Sequence, residues 1–146
     1  MPYLIWFLIS VVVFIFLILL IRYIIRKIKG FFRSRDLYGL TKEGIQKRWN
    51  EIEELMARKE EMSYKLAVME ADKLLDYVLK AKMIAGKDLG ERLKLINYKY
   101  PETRQAWIGH KVRNKLVHEA SYHLDYGTAK EAIRTFKRAL QAMGVL

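Results

Sequence analysis

The chain has no cysteine, and only two prolines and three histidines stand among its 146 residues. Without cysteine there is no disulfide framework and no thiolate metal site, which fits a reducing compartment. The sequence also contains no HExxH, no GxGxxG, no phosphate-binding glycine loop and no serine in a nucleophile-elbow context. Three histidines without a matched carboxylate pattern make a weak metal site. We therefore expect neither a cofactor nor a metal ion.

No charged residue interrupts the run from Leu4 to Ile21, and 16 of its 18 residues are Leu, Ile, Val or Phe. As a helix this run is about 27 Å long, close to the hydrocarbon thickness of a bilayer. A cleaved secretory signal is the alternative, but it needs basic residues before a shorter apolar stretch. Here the basic residues follow the run. The sequence therefore predicts a retained, single-pass transmembrane anchor within residues 1–25.

A basic collar follows the apolar run, and no acidic residue precedes Asp36. The collar carries +6 of the formal net charge of +11, and the remaining chain carries +5. Positive charge beside a span stays in the cytoplasm, so we expect an external N-terminus and a cytoplasmic C-terminal domain at the cell membrane. We expect anionic lipid headgroups to bind the collar, much of which lies in a juxtamembrane linker, residues 26–40. The collar consists of Arg22, Arg26, Lys27, Lys29, Arg33 and Arg35.

Residues 41–146 have the apolar periodicity of α-helices, and no stretch alternates with period two. They predict a compact all-α bundle of four or five helices. The first helix carries Ile45, Trp49, Ile52 and Met56, and the second carries Tyr64, Val68, Ala71, Leu75, Val78 and Leu79 and stops near Gly86. On the second helix Glu70, Asp72 and Asp76 could serve as functional carboxylates, although a charged helix flank explains them equally well.

Capping signals place the remaining three helices. Asp88 and Glu91 form a capping box that should start a third helix, which runs to about Ile96. A fourth helix should begin at Pro101, with Thr103 as a plausible N-cap, and run to about Ala120. The fifth could be capped either by a Thr128–Glu131 box or by Asp125, and it should end at Gly144.

The most polar stretch of the bundle is HKVRNKLVHE, residues 110–119, on the predicted fourth helix. At about 100° per residue its apolar residues form one stripe, which should be the core face. A second face lies opposite, and a large Trp there among His, Lys and Asn favours a binding or catalytic surface over a merely solvated one. The core stripe consists of Ile108, Gly109, Val112, Leu116 and Ala120. The polar face consists of Trp107, His110, Lys111, Asn114 and His118, with Arg113 on the flank.

The segment Arg113-Asn114-x-x-x-His118 resembles the Arg-polar-x(3)-His signature of HEPN domains (higher eukaryotes and prokaryotes nucleotide-binding). The wider stretch WIGHKVRNKLVHE is similar to the form seen in small bacterial HEPN-like proteins. The preceding ADKLLDYVLKAKMIAGKDLGERL is similar to the helix-loop-helix that such proteins place before the motif. The resemblance covers roughly residues 45 to 143 and implies an HEPN-like helical bundle in residues 41–146.

Many HEPN domains are metal-independent ribonucleases whose site forms where the motif helices of two protomers meet. The resemblance therefore implies a homodimer and three catalytic residues. His118 would act as general base on a ribose 2′-hydroxyl or as acid for the leaving 5′-oxygen, Arg113 would stabilise the transition state, and Asn114 would orient either the His or the phosphate. Lys111 and His110 are then candidates for substrate binding, and Trp107 for the dimer interface.

Two functions follow from this resemblance. One is a membrane-tethered ribonuclease that cleaves RNA without a metal. The alternative is a catalytically inactive HEPN-like module that dimerises at the cytoplasmic membrane face and binds a nucleotide or another partner. The intact Arg113, Asn114 and His118 favour the ribonuclease, whereas the anchor and the modest charge of the domain favour the inactive module.

Overall fold

The structure is a computed structural model that describes residues 14–23 and 41–146. The chain divides into two compact units, Met1–Asp36 and Leu37–Leu146. In the first unit residues 14–23 are helical, and their side chains are exposed. No helix within the two described ranges is both long enough and apolar enough to cross a membrane. The predicted span begins at Leu4, and residues 4–13 of it lie outside the described residues. The collar residues after Arg22 and the whole of the linker before Thr41 lie outside them too.

The second unit is a helical bundle, which confirms the all-α prediction. It contains no strand in residues 41–146. Its five α-helices are α1 (Lys42–Ala57), α2 (Glu61–Ala81), α3 (Leu89–Ile96), α4 (Ala106–His118) and α5 (Tyr126–Ala142), and a 3₁₀ helix (Pro101–Gln105) precedes α4. α2 packs against α1, α3, α4 and α5, so it is the central helix of the bundle. Fully buried core side chains include Trp49, Leu75 and Phe136.

Side-chain caps begin α3 and α5 where the sequence indicated. The Asp88 carboxylate accepts the backbone N–H of Glu91 at 2.8 Å, so the predicted start of α3 is confirmed. Asp125 caps α5 by accepting the backbone N–H of Thr128 at 2.9 Å, which decides between the two alternatives for that helix. α5 ends before Gly144, whose φ of +70° is the left-handed conformation that glycine adopts without steric cost.

The predicted start of the fourth helix is wrong. Thr103 is fully buried, and its hydroxyl oxygen lies 2.8 Å from Asn97 Oδ1 and 2.6 Å from the carbonyl oxygen of Tyr100, which share its single proton. It therefore binds the preceding turn instead of capping a following one. The chain makes a 3₁₀ turn from Pro101 to Gln105, and the α-helix begins only at Ala106 and ends at His118.

α4 and α5 approach one another closely at Gly109. A Cβ atom built at this position would lie 2.7 Å from two ring atoms of Phe136, which is closer than carbon atoms pack in proteins. The absence of a side chain at position 109 therefore fixes which face of α4 meets α5. It also fixes where the polar residues on α4 lie.

Candidate functional site

The orientation of α4 differs from the one that its apolar periodicity predicts. Ile108, expected in the core, is 46% exposed, whereas His110, expected on the outer polar face, is 9% exposed. The buried face is turned by roughly 60° from the predicted one, toward the side that holds Gly109 and His110. The close contact with Phe136 and a buried acidic partner for His110 account for this rotation. Of the other predicted stripe residues, Val112 is buried, Leu116 half-buried and Ala120 exposed.

The acidic partner is Asp72 on α2, which is 5% exposed. Its Oδ1 lies 2.7 Å from Nδ1 of His110, and its Oδ2 lies 3.4 Å from Nε of Arg113. A buried carboxylate needs such partners because its loss of hydration is otherwise uncompensated. Both partners come from α4, three residues apart, so both point toward α2. We call Asp72, His110 and Arg113 the Asp–His–Arg cluster.

Two of the three predicted catalytic residues are in contact. The Arg113 guanidinium donates through one terminal nitrogen to Oδ1 of Asn114 at 3.1 Å. The third, His118, is exposed in the last turn of α4, and within the described residues no hydrogen bond connects it to Arg113 or Asn114. Residues five apart in a helix point about 140° away from each other. A single chain therefore presents Arg113 and His118 in different directions.

Trp107 lies against its own chain. It is half-buried and packs on the core, with its ring edge-on to the ring of His110 at a centroid distance of 5.6 Å. A Cβ atom at Gly90 on α3 would lie 3.3 Å from this indole. The predicted placement of Trp107 away from the core is therefore wrong, while its role in a dimer interface stays a prediction. Lys111 is exposed, as expected.

The sequence indicates Asp72 only as one of three possible functional carboxylates on α2, although its spacing distinguishes it from the other two. Asp72 stands four residues after Val68 and three before Leu75, so it falls within the apolar stripe that α2 turns to the core. An acidic residue in such a stripe requires a buried cationic or hydrogen-bonding partner. The partner lies 38 residues away, and local periodicity does not indicate it.

A second charged cluster holds the α2–α3 connection. Arg92 on α3 is 7% exposed, and its guanidinium binds Oδ1 of Asp76 at 2.8 Å and the carbonyl oxygen of Gly86. Lys80 binds the other oxygen of Asp76 at 2.6 Å. Gly86 has a φ of +144°, which a residue with a side chain rarely adopts. The function of this cluster is to fix the loop.

The Asp–His–Arg cluster and Asp76 of the second cluster line one cleft of about 380 Å³ between α2, α4 and the start of α3. Its walls carry charges of both signs, so it is not a general anion site. Within residues 14–23 and 41–146, no group of three or more His, Asp or Glu side chains is arranged to hold a metal ion. The lining residues are Met69, Glu70, Asp72, Lys73, Asp76, Lys87, Asp88, Leu89, His110 and Arg113.

Comparison of the chain with protein-family models, curated proteins and solved structures finds no match.

Proposed function

We propose that this chain is a membrane-tethered, HEPN-like endoribonuclease that cleaves RNA without a metal ion. The observation that supports this is that two contacts hold the Arg113 guanidinium while part of its side chain stays exposed. Asp72 holds its Nε and Asn114 binds one of its terminal nitrogens, yet its side chain remains 35% exposed. The remaining N–H donors make no hydrogen bond within residues 41–146, so they would be available for a bidentate contact with a phosphate.

The active form would be a homodimer in which the α4 helices of two chains meet. Since Arg113 and His118 point about 140° apart on one helix, one copy alone does not direct both at a single phosphate. A two-fold axis beside α4 would place His118 of each chain near Arg113 of the other. Lys111, exposed on the same helix, would add to the attraction of the RNA backbone.

The proposed reaction needs only proton transfer and charge stabilisation. A neutral His118 takes the proton of a ribose 2′-hydroxyl, and the 2′-oxygen attacks the adjacent phosphorus. The bond from phosphorus to the 5′-oxygen then breaks, and the leaving oxygen takes a proton from a protonated His118 of the second chain. The products are a 2′,3′-cyclic phosphate and a free 5′-hydroxyl. Arg113 stabilises the negative charge that develops on the phosphate oxygens.

The reaction would take place at the cytoplasmic face of the membrane. The described part of the anchor, residues 14–23, is helical and exposes large apolar side chains, with Phe14 at 64% exposure and Phe16 at 63%. A helix that is apolar all round needs an apolar surrounding. The basic collar in the sequence would then lie against anionic headgroups, which keeps the bundle close to the bilayer.

The ion pair between Arg113 and Asp72 favours a second candidate function. A guanidinium that already neutralises a buried carboxylate attracts a phosphate less strongly than a free one does. The chain would then be an inactive HEPN-like module that dimerises and binds a nucleotide or a protein partner. An activity assay separates the two candidates.

We would incubate the full chain in detergent micelles with single-stranded RNA of mixed sequence and EDTA. We expect cleavage that yields 2′,3′-cyclic phosphate ends. His118→Ala and Arg113→Ala should each lower the rate by about 10²–10⁴-fold, since each removes a proton-transfer group or a charge partner. Arg113→Lys should restore little, because an ammonium lacks the planar fork of a guanidinium.

The matched control is His123→Ala, which removes an exposed histidine outside the motif helix and should leave the rate unchanged. Circular dichroism checks folding, above all for Arg113→Ala, which leaves Asp72 with a single partner. Full activity in His118→Ala would refute the proposed site. A wild-type chain that dimerises but cleaves no RNA would instead support the inactive module.

A further inference from the structure

The Asp–His–Arg cluster combines features that a purely structural contact does not need. An apolar side chain at position 72 would complete the stripe on α2 without any cost of desolvation. Instead a carboxylate is buried there, and each of its two oxygens faces a different nitrogen of α4. One of those nitrogens belongs to Arg113, the residue that would bind the phosphate in the proposed reaction.

Contacts hold Arg113 through two of its three guanidinium nitrogens. Asp72 faces Nε, and Asn114 accepts from one terminal nitrogen, so the guanidinium plane is fixed at two points. The other terminal nitrogen makes no hydrogen bond within residues 41–146, and the side chain as a whole is 35% exposed. An unrestrained arginine has several rotatable bonds, and it loses that freedom when it binds a phosphate. Here the contacts with Asp72 and Asn114 already restrict these rotations before any phosphate binds.

His110 in turn fixes Asp72. Its Nδ1 lies 2.7 Å from Oδ1, and the Trp107 ring meets the imidazole edge-on. Gly90 on α3 lies beside the imidazole, since a Cβ at this position would lie 3.6 Å from Nε2 of His110, which is ordinary contact. α3 and Trp107 therefore contact His110, His110 contacts Asp72, and Asp72 contacts Arg113.

From this geometry we infer that Asp72 is a positioning residue that presents the Arg113 guanidinium to the scissile phosphate of RNA, with His110 holding Asp72 in place. The inference rests on the proposed ribonuclease function and deepens it. It also reassigns His110, which the sequence indicated as a substrate-binding residue. His110 acts through Asp72 and needs no contact with the substrate.

The kinetic test uses three variants of the full chain in micelles. Asp72→Ala should lower kcat by about 10- to 100-fold and change KM less than threefold, because a misplaced catalytic group costs a factor of this order. Asp72→Asn should recover part of the loss, since its amide oxygen can still face Nε of Arg113 while its NH₂ group donates to Nδ1 of His110. This partial rescue is not expected if the negative charge alone matters.

Asp76→Asn is the matched control. Asp76 lies one turn further along α2 and lines the same cleft, but it binds Arg92 and Lys80 instead of α4. Its loss should leave kcat within about twofold of wild type. Wild-type kcat in a folded Asp72→Ala variant would overturn the inference, as would an equal loss of kcat in both Asn variants. If Asp72→Ala does not fold, Asp72→Asn decides, with an expected loss of about 3- to 10-fold.

A second measurement is independent of activity. The Nε–H of a fixed arginine exchanges slowly with water, so Arg113 should give a sharp ¹H–¹⁵N resonance in the wild type and in Asp76→Asn, and a broadened or absent one in Asp72→Ala. A wild-type chain that cleaves no RNA but shows this pattern refutes the proposed function and retains the positioning of Arg113. An unchanged Arg113 resonance in Asp72→Ala overturns the inference whatever the activity.

Discussion

Gly109→Ala tests the contact that sets the orientation of α4. The new methyl group would lie 2.7 Å from two ring atoms of Phe136 and 3.0 Å from the carbonyl oxygen of Ala132, whereas ordinary contact begins at 3.4 Å. The two helices must separate by about 0.7 Å, because Phe136 is fully buried and its ring has no free space. Overpacking of this kind costs about 1–3 kcal/mol, and alanine regains about 1 kcal/mol over glycine in a helix. One of the crowded atoms belongs to the backbone, which cannot rotate away, so we expect a cost near the upper end of this range. The net loss of stability is then about 2 kcal/mol.

Urea unfolding of the full chain in micelles, followed by tryptophan fluorescence, measures this loss. Gly90→Ala is the control, since its methyl group would meet the Trp107 ring at 3.3 Å and require almost no displacement. We expect its free energy of unfolding to stay within about 1 kcal/mol of wild type. In a Phe136→Leu background, Gly109→Ala should cost less, because the ring that it strikes is absent. A Gly109→Ala chain as stable as wild type would refute the close packing of α4 on α5, and with it the burial of His110.

Two further predictions concern acid stability and topology. Hydrogen bonds from Lys65, from the backbone N–H of Leu124 and from His123 lower the pKa of Glu61 from 4.5 to about 2. Since the pKa of Glu61 is lower in the folded state, the stability that Glu61 contributes is complete above pH 4.5 and is lost as the pH falls toward 2. Between pH 6 and 2 the urea midpoint should therefore fall less steeply with pH in Glu61→Gln than in the wild type. Parallel curves for the two chains would contradict this. For topology, a green fluorescent protein fused after Leu146 should fluoresce and an alkaline phosphatase there should be inactive, and the opposite pair of results would place the bundle outside the cell.

Local sequence patterns determined most of the helices. Apolar periodicity located the first two, because each helix must turn one apolar stripe to a shared core, and capping signals placed the other three. Capping residues fixed several ends: Asp88 starts α3, and Gly144 follows α5, where each satisfies free backbone groups by a local contact. Thr103 shows the limit of this reasoning, since the same hydroxyl can cap a following helix or bind the preceding turn.

The candidate site depended on contacts that no local pattern records. The sequence placed Arg113, Asn114 and His118 on one helix, but only the tertiary structure buried His110, exposed Ile108 and joined Asp72 to Arg113. The direction that α4 faces depends on two long-range conditions. Gly109 must meet the ring of Phe136, and the buried carboxylate of Asp72 must find a partner. Both involve residues on separate helices, so periodicity gives the content of each face but not which face turns inward.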